Sequence, residues 1–109
     1  MLSVSSDKRF NNSKLFFSKY ELQKILSCYS IGVSRGSWKD YAINFNKNEA
    51  NFYMYKHASA SPYFILTKSN KINKNKILFK LQINNAKKNI FSHIDDLLII
   101  LKRNQFKIF

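Results

Sequence analysis

The segment K-I-L-F-K-L-Q-I, from Lys76 to Ile83, carries the clearest structural signal in this chain. Its odd-numbered positions are all apolar, whereas its even-numbered positions carry two lysines, one leucine and one glutamine. A period of two over eight residues is typical of a strand that buries one face. A sheet with one buried face needs a second layer to cover it, so the rest of the chain must supply partner strands and helices.

Three further strands are predicted upstream, over residues 41–45, 50–57 and 63–68. The residues between the first two, Asn46-Lys47-Asn48-Glu49, have the composition of a turn, because asparagine tolerates positive φ and bonds its own backbone. Residues 58–62 end in Pro62, which fixes φ and cannot donate a backbone hydrogen bond. Residues 69–75 form a loop of lysine, asparagine and serine around a single isoleucine. Such short connections favour an antiparallel meander.

Two helices are predicted to flank the strands. Ser18 and Glu21 have the spacing of a capping box, and apolar residues recur at helical spacing from Leu22 to Val33. The second helix begins near Ile94, with two aspartates in its first turn and Lys102-Arg103 in its last, as the helix dipole favours. We therefore predict an α+β, two-layer domain over residues 17–109: a helix, a four-stranded antiparallel meander and a helix, with both helices on one sheet face. Residues 1–16 are predicted to form a flexible arm.

Composition narrows the class of protein. The chain has 109 residues, a net charge of +13 and 45% hydrophobic residues, which suits one folded domain. Its one cysteine cannot form an internal disulfide and favours a reducing compartment. No signal peptide is visible, and the longest aliphatic run, residues 97–101, is far too short for a transmembrane segment. We therefore expect a cytoplasmic protein.

The positive charge is unevenly distributed. Residues 50–94 hold 8 basic residues and no acidic ones. A bias toward AT-rich codons is an alternative source of the charge, because the chain has 16 lysines against 3 arginines. Codon bias does not by itself explain an acid-free middle segment, so a positive field is expected on this part of the fold.

Motifs of enzymes and metal sites are missing from the sequence. Two glycines cannot make a nucleotide-binding glycine loop, and Cys28, His57 and His93 lack the spacing of zinc ligands. Asp95 and Asp96 are adjacent on the predicted helix, so they point about 100° apart and cannot share one reacting atom. We expect no catalytic residue, no metal, no cofactor and no small-molecule substrate.

The strand parities predict a sheet face opposite the helices that is aromatic, basic and free of carboxylates. Tyrosine rings can stack on bases, and lysines can pair with phosphates, so this face is a candidate for single-stranded nucleic acid. The candidate residues are Tyr53, Tyr55, Tyr63, Lys68, Lys71, Lys74, Lys76 and Lys80. The alternative is a protein interface, such as that of a homodimer, which also buries tyrosine, isoleucine and leucine. The tyrosines would be exposed in a monomer that binds nucleic acid and covered in a dimer.

A second candidate site is the polar and aromatic corner of Arg35, Trp38 and Asp40, between the first helix and the first strand. The functional interpretation is a small recognition site. The structural interpretation is that Trp38 closes one end of the core, while Asp40 pairs with Arg35 or caps nearby amides.

Residues 17–62 resemble a family of small alphaproteobacterial proteins known as domain of unknown function family 2794. The most specific part is the segment from Gly36 to Ile43, G-S-W-K-D-Y-A-I. The other resembling residues are Phe17, Glu21, Leu22, Ile25, Leu26, Tyr29, Val33, Phe45, Ala50, Phe52, His57, Ala58, Ser59 and Pro62. The resemblance implies a bacterial cytoplasmic protein and no particular activity. The lysine-rich loop over residues 69–76 departs from the family pattern.

Overall fold

The computed structural model of the protein describes residues 14–57, 61–71 and 76–105. Helix α1 and helix α2 flank five consecutive strands along the chain. The elements are α1 (Lys19–Ser34), β1 (Asp40–Phe45), β2 (Glu49–Tyr55), β3 (Phe64–Lys71), β4 (Lys76–Ile83), β5 (Asn89–Phe91) and α2 (Ile94–Gln105). The strands form one antiparallel sheet in the order β1-β2-β3-β4-β5. The predicted α+β class and antiparallel meander are confirmed.

The predicted number of strands was wrong by one, because β5 pairs with β4 after a connection over residues 84–88. Asn84 and Asn85 both have positive φ, 48° and 64°, and the Ala86 amide donates to the Ile83 carbonyl oxygen at 2.9 Å. Two central residues with positive φ make the type of turn that matches the twist of a hairpin. The three residues of β5 are too few to show a period, so the sequence pattern did not reveal this strand.

The core lies between the two helices and one face of the sheet. In the register, Phe52 lies beside Leu66, which lies beside Leu81, and the three side chains are buried. Ile25 of α1 and Leu97 of α2 belong to the same buried cluster, so both helices cover this face. The odd-numbered apolar positions of β4, among them Phe79 and Leu81, lie on this face as the alternation predicts. Tyr41 lies at the margin, 43% exposed, with its ring stacked on that of Phe52.

The start of α1 has the predicted capping box. The Glu21 amide donates to Ser18 Oγ at 3.1 Å, and the Ser18 amide donates to Glu21 Oε1 at 2.7 Å. Phe17, the residue before the cap, is buried in the core. These contacts satisfy backbone donors that the first turn of a helix leaves without partners.

We expect Ser18→Ala to lower the free energy of unfolding by about 1 kcal/mol, because it removes the acceptor for the Glu21 amide. Chemical denaturation measures this change. Ser30→Ala, an exposed position inside the same helix, is the matched control and should leave the midpoint nearly unchanged. An equal midpoint for wild type and Ser18→Ala would contradict the prediction.

The residues just before α1 lie against the sheet. The Leu15 amide donates to the Asn46 carbonyl oxygen at 2.8 Å, and the rings of Phe16 and Phe45 are 4.7 Å apart. Leu15 and Phe16, predicted as part of a flexible arm, therefore contact the β1–β2 hairpin. The rest of that predicted arm, residues 1–13, lies outside the described residues.

Candidate nucleic-acid interface

The sheet face opposite the helices, called the outer face below, is defined by the cross-strand register. Ala42, Tyr53, Ile65 and Gln82 form one row across β1 to β4. The next row is Asn44, Asn51, Thr67, Lys80 and Ile90, and a third row holds Glu49, Ser69 and Leu78. The buried side chains of both helices join the core on the other face. In the described part of the chain, the outer face is therefore not covered by a helix.

Tyr53 and Tyr55 lie on the outer face of β2, two residues apart and therefore about 7 Å apart along the strand. Each is half-buried, so part of each ring is open to solvent. Burial raises the pKa of Tyr53, and the nearby Tyr55 and Glu49 raise it further. The Tyr53 hydroxyl therefore remains neutral at physiological pH and does not repel a phosphate.

Tyr63 precedes β3 and belongs to a different environment. Its ring centroid lies 5.3 Å from that of Phe64 and 6.2 Å from that of Trp38. The Lys56 ammonium lies 5.1 Å above the Tyr63 ring, within the range of a cation–π contact. This candidate ring is thus engaged by a core cluster and a lysine, unlike those of Tyr53 and Tyr55.

The candidate lysines divide between the two faces. Lys80 lies on the outer face beside Thr67, and Lys76 is exposed at the start of β4. Lys68 lies on the helix side, because its register partners Ala50 and Phe79 are both buried there. The inclusion of Lys68 among the ligand-binding residues is therefore corrected.

A specific contact holds Lys68 on the helix side. Its ammonium donates to Glu21 Oε1 and to the Phe16 carbonyl oxygen, each at 2.9 Å. Lys68 thus ties β3 to the capping box of α1. The backbone of Lys71 pairs with that of Lys76, whereas the Lys71 side chain and all of Lys74 lie outside the described residues.

The outer face is not free of carboxylates, which corrects a second expectation. Glu49, predicted as a turn residue, begins β2 and lies on the outer face beside Ser69. Asp40 begins β1 and lies opposite Tyr55, where its Oδ1 accepts from the Tyr41 amide at 2.8 Å. Among the described side chains, the lysines of the outer face lie on β4, and its carboxylates lie on β1 and at the start of β2.

The sequence pattern missed a buried polar pair at the centre of the outer face. Thr67 Oγ1 donates to Asn51 Oδ1 at 2.6 Å. Thr67 is 4% exposed and Asn51 7%, although both point away from the core. Their strand parity placed them on this face, but their burial is a tertiary effect that periodicity does not reveal.

The corner of Arg35, Trp38 and Asp40 has a buried tryptophan at its centre, where the structural interpretation places it and the recognition-site hypothesis needs it exposed. Trp38 is 2% exposed, and its Nε1 donates to Gln105 Oε1 at 3.1 Å. Gln105 Nε2 in turn donates to the Cys28 carbonyl oxygen at 3.1 Å. Trp38 therefore closes the core end between α1 and α2, and its ring is inaccessible to a surface ligand. Arg35 and Asp40 remain exposed.

The remaining side chains that could act as a nucleophile or bind a metal ion do not form a site among the described residues. Burial raises the pKa of the Cys28 thiol to about 11, so the thiol stays protonated at neutral pH. Among the described residues, no three histidine, cysteine, aspartate or glutamate side chains come close enough to hold a metal ion. No helix in the described ranges is both long and apolar enough to cross a membrane.

No curated protein and no solved structure is significantly similar to this chain. The family resemblance carried by residues 17–62 is confirmed and extends much further along the chain than those residues. The match begins at residue 15, just before the capping box of α1, and ends at residue 104 in the last turn of α2, so it covers the whole sheet. The chain belongs to the family described as Protein of unknown function (DUF2794).

Proposed function

We propose that this protein is a non-enzymatic module that binds single-stranded nucleic acid on its outer face. The observation that carries the proposal is the placement of Tyr53 and Tyr55 on one strand of a sheet face that no described helix covers. Lys76 and Lys80 lie two strands away on β4. Bound bases would stack on the tyrosines while the lysines contact phosphates.

The spacing of the strands is compatible with bases stacked on β2 and phosphates bound by β4. Neighbouring strands are about 4.8 Å apart, so β4 lies about 10 Å from β2. A lysine side chain on β4 can therefore meet the phosphates of a strand whose bases rest on β2. The carboxylates lie on β1, on the other side of the tyrosines, or at the start of β2, which favours a backbone path along β4.

The proposal also places the protein in the cytoplasm. The chain's single cysteine, Cys28, is a buried free thiol, which suits a reducing compartment.

The test separates the stacking contribution from the charge contribution. We expect Tyr53→Ala with Tyr55→Ala to weaken binding of a labelled single-stranded oligonucleotide by ~1–3 kcal/mol per stacked base, with the salt dependence nearly unchanged. We expect Lys76→Gln with Lys80→Gln to weaken binding and also to flatten the slope of log affinity against log salt, by ~0.7 per lost phosphate contact. Fluorescence anisotropy at several salt concentrations measures both quantities.

The matched control is Lys102→Gln, which removes a lysine from the exposed side of α2. It should reduce the affinity less than the loss of either lysine on β4. Tyrosine variants that bind as well as wild type would reduce the interaction to nonspecific charge attraction and overturn the proposal. Tyrosine variants that convert a dimer into a monomer, measured by solution mass, would instead establish the outer face as a homodimer interface.

A further inference from the structure

The buried pair Asn51 and Thr67 has hydrogen-bonding groups that no other described residue uses. The Thr67 hydroxyl donates to Asn51 Oδ1 at 2.6 Å and thereby orients the Asn51 amide. Within the described ranges, no group accepts a hydrogen bond from Asn51 Nδ2, although the residue is 7% exposed. Buried amide groups are almost always paired, so an unpaired one on an uncovered sheet face points to a ligand.

The pair offers a donor beside an acceptor. Among the described residues, the N–H groups of Asn51 Nδ2 have no acceptor. Thr67 Oγ1 donates one hydrogen bond and still has lone pairs that can accept another. The edges of nucleobases present donors and acceptors side by side, and proteins recognise unstacked bases through such edges. The pair thus matches the hydrogen-bonding pattern of a base.

A phosphate fits this position less well than a base. Glu49 lies two residues before Asn51 on the same face of β2, and its carboxylate would repel a phosphate held at Asn51. A neutral base edge suffers no such repulsion. Tyr53, two residues after Asn51, supplies a ring about 7 Å further along the strand. Lys80 lies beside Thr67 on β4, where it can meet the phosphate of the same nucleotide.

We infer that Asn51 and Thr67 form a seat that hydrogen-bonds the edge of one nucleobase. This inference rests on the proposed function. It adds a hydrogen-bonded contact with a base edge to the stacking on tyrosines and the lysine–phosphate contacts.

The probes are a labelled oligomer of deoxythymidine and a labelled oligomer of the same length and charge whose residues are all abasic. Thymine offers an N–H between two carbonyl oxygens, which matches the donor and acceptor of the seat. We expect wild type to prefer the thymidine oligomer. We expect Asn51→Ala to weaken its binding about 5- to 150-fold, the range for a good pair of hydrogen bonds to a base. Binding of the abasic oligomer and the salt slope should stay unchanged.

Two controls guard against an effect on folding. Gln23→Ala removes an exposed amide from α1, away from the outer face, and should retain the wild-type preference. Thr67→Ser retains the hydroxyl and should do the same. Thermal melting of each variant checks that it is folded.

The outcomes distinguish the two proposals. If wild type prefers the thymidine oligomer and Asn51→Ala keeps the full preference, the inference about Asn51 and Thr67 is wrong. The proposed function then remains intact. Wild type that binds both oligomers equally, or neither of them, would overturn both proposals.

Discussion

Phe79→Ala is expected to lower the free energy of unfolding by roughly 3–5 kcal/mol, because it removes a large ring from the core and leaves a cavity. Phe79 is 5% exposed on β4, where its register partners are Phe91 on β5 and Lys68 on β3. Domains of this size are stable by roughly 5–15 kcal/mol, so the loss is a large share of the total. Urea denaturation followed by circular dichroism measures the change.

Leu78→Ala is the matched control for this prediction. Leu78 is the preceding residue, lies on the outer face and is half-buried. Its truncation removes fewer buried contacts and should cost clearly less than the loss of Phe79. A larger loss for Leu78→Ala than for Phe79→Ala would mean that the strand faces the other way.

The second large effect is expected at Gly32, where alanine should lower the free energy of unfolding by roughly 2–5 kcal/mol. Gly32 is buried inside α1, and a Cβ built on it would overlap Cδ1 and Nε1 of the Trp38 ring. The ring would have to shift, which disturbs the hydrogen bond from Trp38 Nε1 to Gln105 Oε1. Alanine favours a helix over glycine by only about 1 kcal/mol, which does not offset this overlap.

Trp38 reports on this change directly, because it is the only tryptophan in the chain. We expect Gly32→Ala to lower the denaturation midpoint and to shift the native emission of Trp38 to longer wavelength. Ser27→Ala, at an exposed position of the same helix, should change neither. Unchanged stability and emission in Gly32→Ala would show that the ring does not pack against Gly32.

Local patterns predicted the elements that depend on neighbours in sequence. The cap of α1 needs only the Ser18–Glu21 spacing, and its geometry is as expected. The core face of β4 follows from alternation alone, because successive side chains of a strand point to opposite faces. The type of turn after β4 is also local, since asparagine readily adopts the positive φ found at Asn84 and Asn85.

Local sequence patterns could not predict contacts between residues that are distant in the sequence. Lys68 has the parity of a core position, but only the folded chain brings Glu21 within 2.9 Å of its ammonium. The bond between Trp38 and Gln105 joins residues 67 positions apart, so no periodicity predicts it. Glu49 was assigned to a turn because its neighbours are asparagine and lysine, whereas pairing with Ser69 extends the strand to include it.

The sequence by itself therefore determined the α+β class, the antiparallel meander and the face that each of the four predicted strands turns to the core. It did so because helix caps, turns and side-chain alternation are properties of a few consecutive residues. Only the tertiary structure decided which polar groups of the outer face are available to a ligand. In the described part of the chain, the neighbours of Lys68, Asn51 and Glu49 depend on the register between strands, which places distant residues side by side.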